Sequence, residues 1–335
     1  MKRLLLRGWH LLYRIIGGVK QFPKHKNSFG FHIAWIIFID GLIPPGKSQN
    51  YINKIEKFVS DYLHPLVEKY QNDAYLPHKM IEISFDKVPV WCCWWQGEDK
   101  MPELVKMCND RLRQVLPDEA EIHMITEKNY KEYVELPDYI IQKFKTGKMS
   151  ITALSDVLRV ALLSEYGGFW IDSTVFVSGA FPKEFISRDF YTQRMYDPEK
   201  WSREACKGRW CGFMIAGSQQ NIIFRFLKDA FYQWWKDYDC VIDYVILDYF
   251  LLAAYHGIPI IKKIIDSVPN NNTDVFEMYK VLRSPYSKQL LKELTESTVM
   301  HKLTYKINLY KKTDKGEDTL YAYLLNSVKS NCPFL

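Results

Sequence analysis

The hydrophobic pattern of this chain switches repeatedly between helical and extended periods, which predicts an α/β fold. Val88-Pro-Val-Trp-Cys-Cys-Trp-Trp95 is continuously apolar and ends at Gln96-Gly97, as expected of a strand buried on both faces that runs into a loop. Residues 101–115 carry apolar positions at helical spacing, and Glu121-Ile-His-Met-Ile-Thr126 reads as the next strand. Strand, helix and strand in that order imply a right-handed parallel unit, with ligands gathered beyond the carboxyl ends of its strands, beside Gln96 and Gly97. Further on, Ser150 is a candidate N-cap for a helix bearing Ile151, Leu154, Leu158, Ala161 and Leu162, and Gly167 can end it. Gly168-Phe-Trp-Ile171 is then a short buried strand that delivers Asp172, and alternation sets Thr174 on the same side. Residues 210–216 form another predicted strand, followed by helices over 221–235 and 241–255, while 51–70 reads as an earlier helix.

The first residues have a different character. Positions 1–39 contain no Asp or Glu, yet Lys2, Arg3, Arg7, Arg14, Lys20, Lys24 and Lys26 are basic. On a helix Arg3, Arg7, His10 and Arg14 share one stripe, with Leu5, Trp9, Leu12 and Ile16 almost opposite. That pattern suits a helix lying in a membrane surface; an amphipathic helix docked on the protein's own body is the alternative. Gly41-Leu-Ile-Pro-Pro-Gly46 is a turn-rich break after it. The expected organisation is therefore a basic membrane-associating segment over 1–46, a helical linker region over 47–87 and one catalytic domain over 88–335.

Composition narrows the function. With 335 residues, 47% of them apolar, the chain can bury a large core. A net charge of +6 without a long Lys/Arg run argues against nucleic acid as a partner. The seven cysteines include no C-x-x-C pair, so reduced, buried thiols are expected and neither zinc nor a disulfide framework is. No apolar run reaches a spanning length, and a secretory signal is not expected. Asn271-Asn-Thr273 fits a glycosylation acceptor, but in a cytoplasmic protein it is only a polar loop.

A carboxylate such as Asp172 at a strand's carboxyl end beside a cleft suits Mg²⁺ or Mn²⁺. Asp156 and Arg159 lie off the apolar stripe of their helix, either as a surface i,i+3 pair or as ligand contacts. Asp248, among Val, Ile, Leu and Tyr, needs a partner or a wet cleft, and Asp243 is the runner-up. In His301-Lys-Leu-Thr-Tyr-Lys306, alternation sets His301 opposite Lys302 if the segment is a regular strand.

Ser155-Asp-Val-Leu-Arg159 followed by Glu165-Tyr-Gly-Gly-Phe-Trp-Ile-Asp172 resembles the central signature of glycosyltransferases of the family 32 type, and most of all their capsular polysaccharide synthesis branch. The resemblance takes in Pro89-Val-Trp91 with Trp95-Gln-Gly97 and, more weakly, Leu247-Asp-Tyr-Phe250 and His301 to Lys306. It implies a GT-A-like fold with a mixed, mostly parallel sheet. It also implies transfer of a hexosyl or N-acetylhexosaminyl unit from a UDP-sugar, with retention, to a hydroxyl of a saccharide or lipid-linked saccharide acceptor. Such an enzyme would be cytoplasmic and peripheral to the inner face of the cell membrane.

Carried over by position, Trp91, Gln96, Gly97, Asp156, Arg159, Gly168, Thr174, Lys302 and Lys306 would bind the donor, Asp172 and His301 a divalent metal, and Asp172 and Asp248 would serve catalysis. One departure is informative. Where many members have D-x-D this chain has Asp172-Ser-Thr174, and a hydroxyl is a poor ligand for a hard cation; D-[AS]-T is common in the capsular branch. His301 is the expected source of the missing ligand. The competing classes are a non-catalytic nucleotide-sugar-binding scaffold subunit and a membrane-associated structural protein.

Overall fold

The computed structural model describes residues 2–42, 47–75, 87–182 and 188–331. Its helices are α1 (Lys2–Leu42), α2 (Gln49–Gln71), α3 (Glu103–Val115), α4 (Asp138–Lys145), α5 (Ile151–Tyr166), α6 (Ile222–Asp237), α7 (Ile246–Gly257), α8 (Pro259–Asp266), α9 (Glu277–Lys280), α10 (Lys288–Glu296) and α11 (Leu320–Lys329). The strands are β1 (Val88–Cys93), β2 (Ala120–Ile125), β3 (Gly168–Ile171), β4 (Val175–Val177), β5 (Phe190–Thr192), β6 (Met214–Gly217) and β7 (Met300–Lys302).

The central sheet has five strands in the order β2-β1-β3-β6-β5. β1 pairs in parallel with β2 and with β3, whereas β6 runs against both β3 and β5. Four strands thus share one direction and β6 opposes them. This is a mixed, mostly parallel sheet of the kind the strand-helix-strand pattern predicts. Its two faces are both covered, and the period of two decides what goes where. Trp91, Trp170 and Ile215 face a core shared with α5, α6 and α7. Their neighbours Val90, Cys92, Phe169, Ile171, Met214 and Ala216 join the opposite core with Leu112 of α3. A third core packs the other side of α3 and Phe176 of β4 against α9 to α11.

α5 begins and ends as its sequence dictates: Ser150 Oγ accepts from the Ala153 N–H, and Gly167 closes the helix at φ 68. Gly168 follows at φ 90, and a Cβ there would collide with the Pro89 carbonyl. Its lack of a side chain is what lets β3 pair closely with β1. The predicted strand over 210–216 is shorter and later than expected, and the cap of α6 is Asn221, whose side chain accepts from the Ile223 N–H.

The N-terminal region is not one straight amphipathic helix. α1 is broken at Gly30 (φ 80, ψ 166), and its two arms fold together so that the Phe22 ring meets Phe31 at 5.8 Å, Trp35 at 6.4 Å and Phe38 at 6.0 Å. Phe29 seats the bend on the body against Phe58, Trp234 and Tyr238. The turn expected at Gly41–Gly46 lies outside the described residues from 43 onward, as does the end of the expected linker over 76–86. No described helix is long and apolar enough to cross a membrane.

Candidate active site

Beyond the carboxyl ends of β1 and β3 the sheet opens into a cleft of two adjoining lobes, ≈ 530 and ≈ 360 Å³, within the range of small-molecule sites. Asp172 lies on the divide and lines both. Its Oδ1 accepts from Trp170 Nε1 at 2.9 Å and from Arg159 Nη2 at 3.3 Å, and its Oδ2 from Lys302 Nζ at 2.5 Å. Burial works against the charge, but Lys302 and then Arg159 outweigh it and hold the carboxyl below its ordinary range.

Lys302 comes from far along the chain, and β4 is what delivers it. The strand that follows Asp172 pairs antiparallel with β7, matching Val175 to Lys302 and Phe176 to His301, and the Leu303 N–H donates to the Thr174 carbonyl at 2.9 Å. Because neighbouring residues on a strand face opposite ways, this register commits one of the pair to the cleft and the other to the core. Lys302 reaches Asp172. His301 is fully buried, its Nε2 3.0 Å from Ser178 Oγ, and desolvation pushes its pKa down to about 4. The structure therefore places His301 away from the cleft and apart from Asp172, as a buried core group on the far face of β7.

Arg159 lies over the Trp170 ring at 5.0 Å and bonds Asp156 through Nη1 at 2.6 Å. Both members are buried, so they are not a surface pair. Burial pushes Asp156 up to about 6, with Arg159 opposing that shift. Arg159 thus bridges two carboxylates and keeps them apart, the arrangement of a positioning residue. Among the described residues its Nε has no hydrogen-bond partner, and neither have Trp94 Nε1 and Trp201 Nε1, all on residues that line the cleft. Buried donors left unpaired carry a free-energy cost that a polar ligand relieves.

Gln96, Thr174 and Lys306 line the first lobe as the sequence suggests, together with Trp94, Trp95, Ser155 and Tyr305. Gly97 starts the short turn after Gln96 at φ 93. Trp91 does not reach the cleft: its Nε1 donates to the Gly167 carbonyl at 2.9 Å and its ring packs on His123, Tyr133 and Tyr166. It belongs to the core under the site, and Gly168 to the strand packing.

The second lobe holds Asp248, which accepts from Trp210 Nε1 at 3.0 Å, and also Glu204, Trp201, Phe213 and Tyr244. Burial pushes Asp248 up to about 7, the Trp210 bond opposes this, and Glu204 adds to it. The runner-up Asp243 is structural. Its carboxylate is held by Lys47 Nζ at 2.9 Å and the Tyr51 hydroxyl at 2.7 Å, and it accepts from the Val245 N–H at 3.0 Å, tying α2 to the start of α7.

Trp170 was detectable by alternation, two residues before Asp172 on the same side. Trp94, Glu204, Tyr244 and Tyr305 gave no comparable signal, because they meet only where separate loops converge. For a divalent cation the side chains fit poorly. Both Asp172 oxygens already face cations, Thr174 offers a neutral hydroxyl, and among the described residues no group of three or more His, Cys, Asp or Glu is arranged to hold a metal.

The sequence model of the capsular polysaccharide synthesis protein family matches residues 44–324, from before α2 to within α11. The chain belongs to that family. No curated protein matches it. Among solved structures, one titled PaToxG Glycosyltransferase is similar at 14% identity and a TM-score of 0.37, covering 84% of this chain and 99% of its own. In this capsular polysaccharide synthesis protein the family match spans the whole cleft, and it leaves out all of α1.

Proposed function

We propose that this member of the capsular polysaccharide synthesis family is a glycosyltransferase. It moves a hexosyl or N-acetylhexosaminyl unit from a UDP-sugar to a hydroxyl of a saccharide acceptor, a lipid-linked precursor of a capsular or surface polysaccharide, with retention. The observation that carries the reading is Asp172, gripped by Lys302 and Arg159 at the carboxyl end of β3 on the divide of a two-lobed cleft.

In this reading the nucleoside diphosphate occupies the first lobe, where Trp94, Trp95 and Tyr305 offer aromatic faces for the base. The departing diphosphate gathers negative charge, and Lys302 and Lys306 offset it as point charges. Asp172 aims Lys302, and Asp156 with Arg159 fixes Asp172 in turn. No step is assigned to a metal. The sugar and the acceptor hydroxyl occupy the second lobe, where Asp248 and Glu204 accept from hydroxyls and Trp201 and Phe213 cover ring faces. The bond from the anomeric carbon to the β-phosphate oxygen breaks, the acceptor oxygen bonds the same face, and its proton passes to the departing phosphate oxygen. A double displacement through Asp248 is the second route, and its carboxyl, at about 7, is partly ionised at neutral pH.

The test is a panel of UDP-, GDP- and dTDP-sugars incubated with purified protein. Slow hydrolysis of a UDP-sugar that Asp172→Ala abolishes supports the reading. Binding without turnover of any donor points instead to a nucleotide-sugar-binding scaffold subunit.

A further inference from the structure

We propose that the bent helix α1 is an anchor for an anionic lipid surface, docked as a two-armed hairpin rather than as a single amphipathic rod. Nine large apolar or aromatic side chains are counted as exposed among the described residues, and six of them lie on α1: Leu12, Ile16, Val19, Phe31, Trp35 and Ile39. The other three are tyrosines, two of which, Tyr244 and Tyr305, line the cleft. The exposed apolar surface is therefore concentrated on one element, which a lone scatter of surface residues would not give.

The spacing makes a strip of it. Leu12, Ile16 and Val19 follow one another at i, i+4 and i+7 on the first arm; Phe31, Trp35 and Ile39 do so at i, i+4 and i+8 on the second. Gly30 folds the arms so that Phe22 touches both Phe31 and Trp35, which stack at 6.1 Å, and the two stripes belong to one folded element. The opposite side of the second arm is already used: Ile33 and Ala34 are buried, as is Phe29 just before the bend. The strip faces away from the protein with nothing over it among the described residues.

Charge selects the occupant. No acidic residue occurs before Asp40, and Arg14, Lys20 and Lys26 are exposed on the same element, Arg14 on the side of the first arm away from Leu12 and Ile16. A second copy seated on the same face would bring two all-basic hairpins together, which like-charge repulsion opposes. An anionic bilayer supplies both the apolar layer for Phe31 and Trp35 and the negative headgroups for the Lys and Arg. Gly30 reverses the helix, and no described helix is long and apolar enough to span a bilayer, so the hairpin is placed in the interface and not across it.

The anchor packs on the same elements that border the site. Phe29 fixes it to α2 and α6, and just after it Lys47 and Tyr51 hold Asp243, next to Tyr244 and Val245 of the second lobe. A lipid-bound hairpin therefore holds that lobe at a set height over the bilayer. This last consequence rests on the glycosyl transfer proposed above; the anchor itself does not.

The experiment is flotation of the full chain with vesicles of phosphatidylcholine alone or with phosphatidylglycerol. The expected result is binding to the anionic vesicles that weakens as salt rises, and a drop of about tenfold in partitioning for Phe31→Ser with Trp35→Ser. Leu12→Ser with Ile16→Ser, on the arm that packs less against the body, should give a similar loss with an unchanged melting temperature. Equal flotation of wild type and both variants overturns the proposal. So does a wild-type dimer that Phe31→Ser with Trp35→Ser disperses, because a second copy would then cover the strip. UDP-sugar hydrolysis without vesicles should be the same in wild type and variants, so loss of flotation with hydrolysis intact separates failure of the anchor from failure of the transferase reading.

Discussion

Lys302→Met is the most informative single change, because it separates a lysine that binds phosphate from one that merely occupies a metal's place. Methionine preserves most of the stem that passes Phe213, whose ring lies 5.0 Å from the ammonium, and removes one positive charge. Asp172 keeps Trp170 Nε1 at 2.9 Å and Arg159 Nη2 at 3.3 Å but loses its nearest cation at 2.5 Å. The two side chains are 20% and 29% exposed, between the surface pairs worth about 0–1 kcal/mol and the buried pairs that cost about 3–5 kcal/mol to break. A loss of ~2 kcal/mol, seen as a fall of a few degrees in Tm, is expected. The pH dependence has a definite sign. Asp172 sits below its ordinary range in the wild type, so its stabilisation is present above the unfolded carboxyl range and is lost as pH falls through the folded value. The variant's deficit should be full at neutral pH and close under acid conditions.

For the ligand, a charge-assisted hydrogen bond to phosphate is worth ~1.5–3 kcal/mol, so UDP should bind roughly tenfold to a hundredfold more weakly to the variant. Calorimetry of UDP in chelator and again in Mn²⁺ reads this directly. Should Lys302→Met bind UDP as well as wild type, or more tightly once Mn²⁺ is added, then Asp172 works through a metal and the proposed role of Lys302 is wrong.

Three further outcomes are expected. Asp248, pushed up to about 7, takes up a proton on folding between the unfolded carboxyl value of ~3.9 and about 7, so its contribution to stability should fall with rising pH by at most ~1.4 kcal/mol per pH unit; Asp156, pushed up to about 6, adds to the fall only at the acid end of that window. Asp248→Asn should flatten the melting-temperature profile between about 6 and about 7, above the range of Asp156, and a wild-type slope there would show that Asp248 is not the titrating group. His301→Gln should leave UDP binding in Mn²⁺ unchanged while lowering Tm slightly; a selective loss of metal-dependent binding would put the imidazole back in the site. Gly168→Ala combines a φ of 90 with a collision at the Pro89 carbonyl, and a loss of ~3 kcal/mol or more is expected in chemical unfolding. A variant of wild-type stability would mean that β3 is free to move off β1.

Much of the frame was written in local chemistry. A short unbroken apolar run that ends at Gln-Gly suits a strand covered on both faces, and Val88 to Cys93 is one. Ser150 and Gly167 bound α5 because one offers a capping oxygen and the other a positive φ. The strand that ends at Ile171 must then hand Asp172 to the sheet's carboxyl edge, and residues 155–172 identify the family before any contact is known. Alternation even required that His301 and Lys302 part company.

It could not say which of the two would face the cleft. That choice lies in the pairing of β4 with β7, a contact between segments well over a hundred residues apart. The same holds for Asp243 and Asp248, alike as acids on an apolar stretch. Only the docking of α2 gives Asp243 its Lys47 and Tyr51, and only the approach of Trp210 and Glu204 leaves Asp248 at the cleft. Likewise the basic, apolar pattern of the N-terminus predicts a surface helix, but its reversal depends on Gly30 turning and on Phe29 finding a socket between α2 and α6. Helix and strand periods are properties of neighbouring residues, so sequence alone determines them; which charge meets which is fixed by register and packing between distant segments, and those exist only in the folded chain.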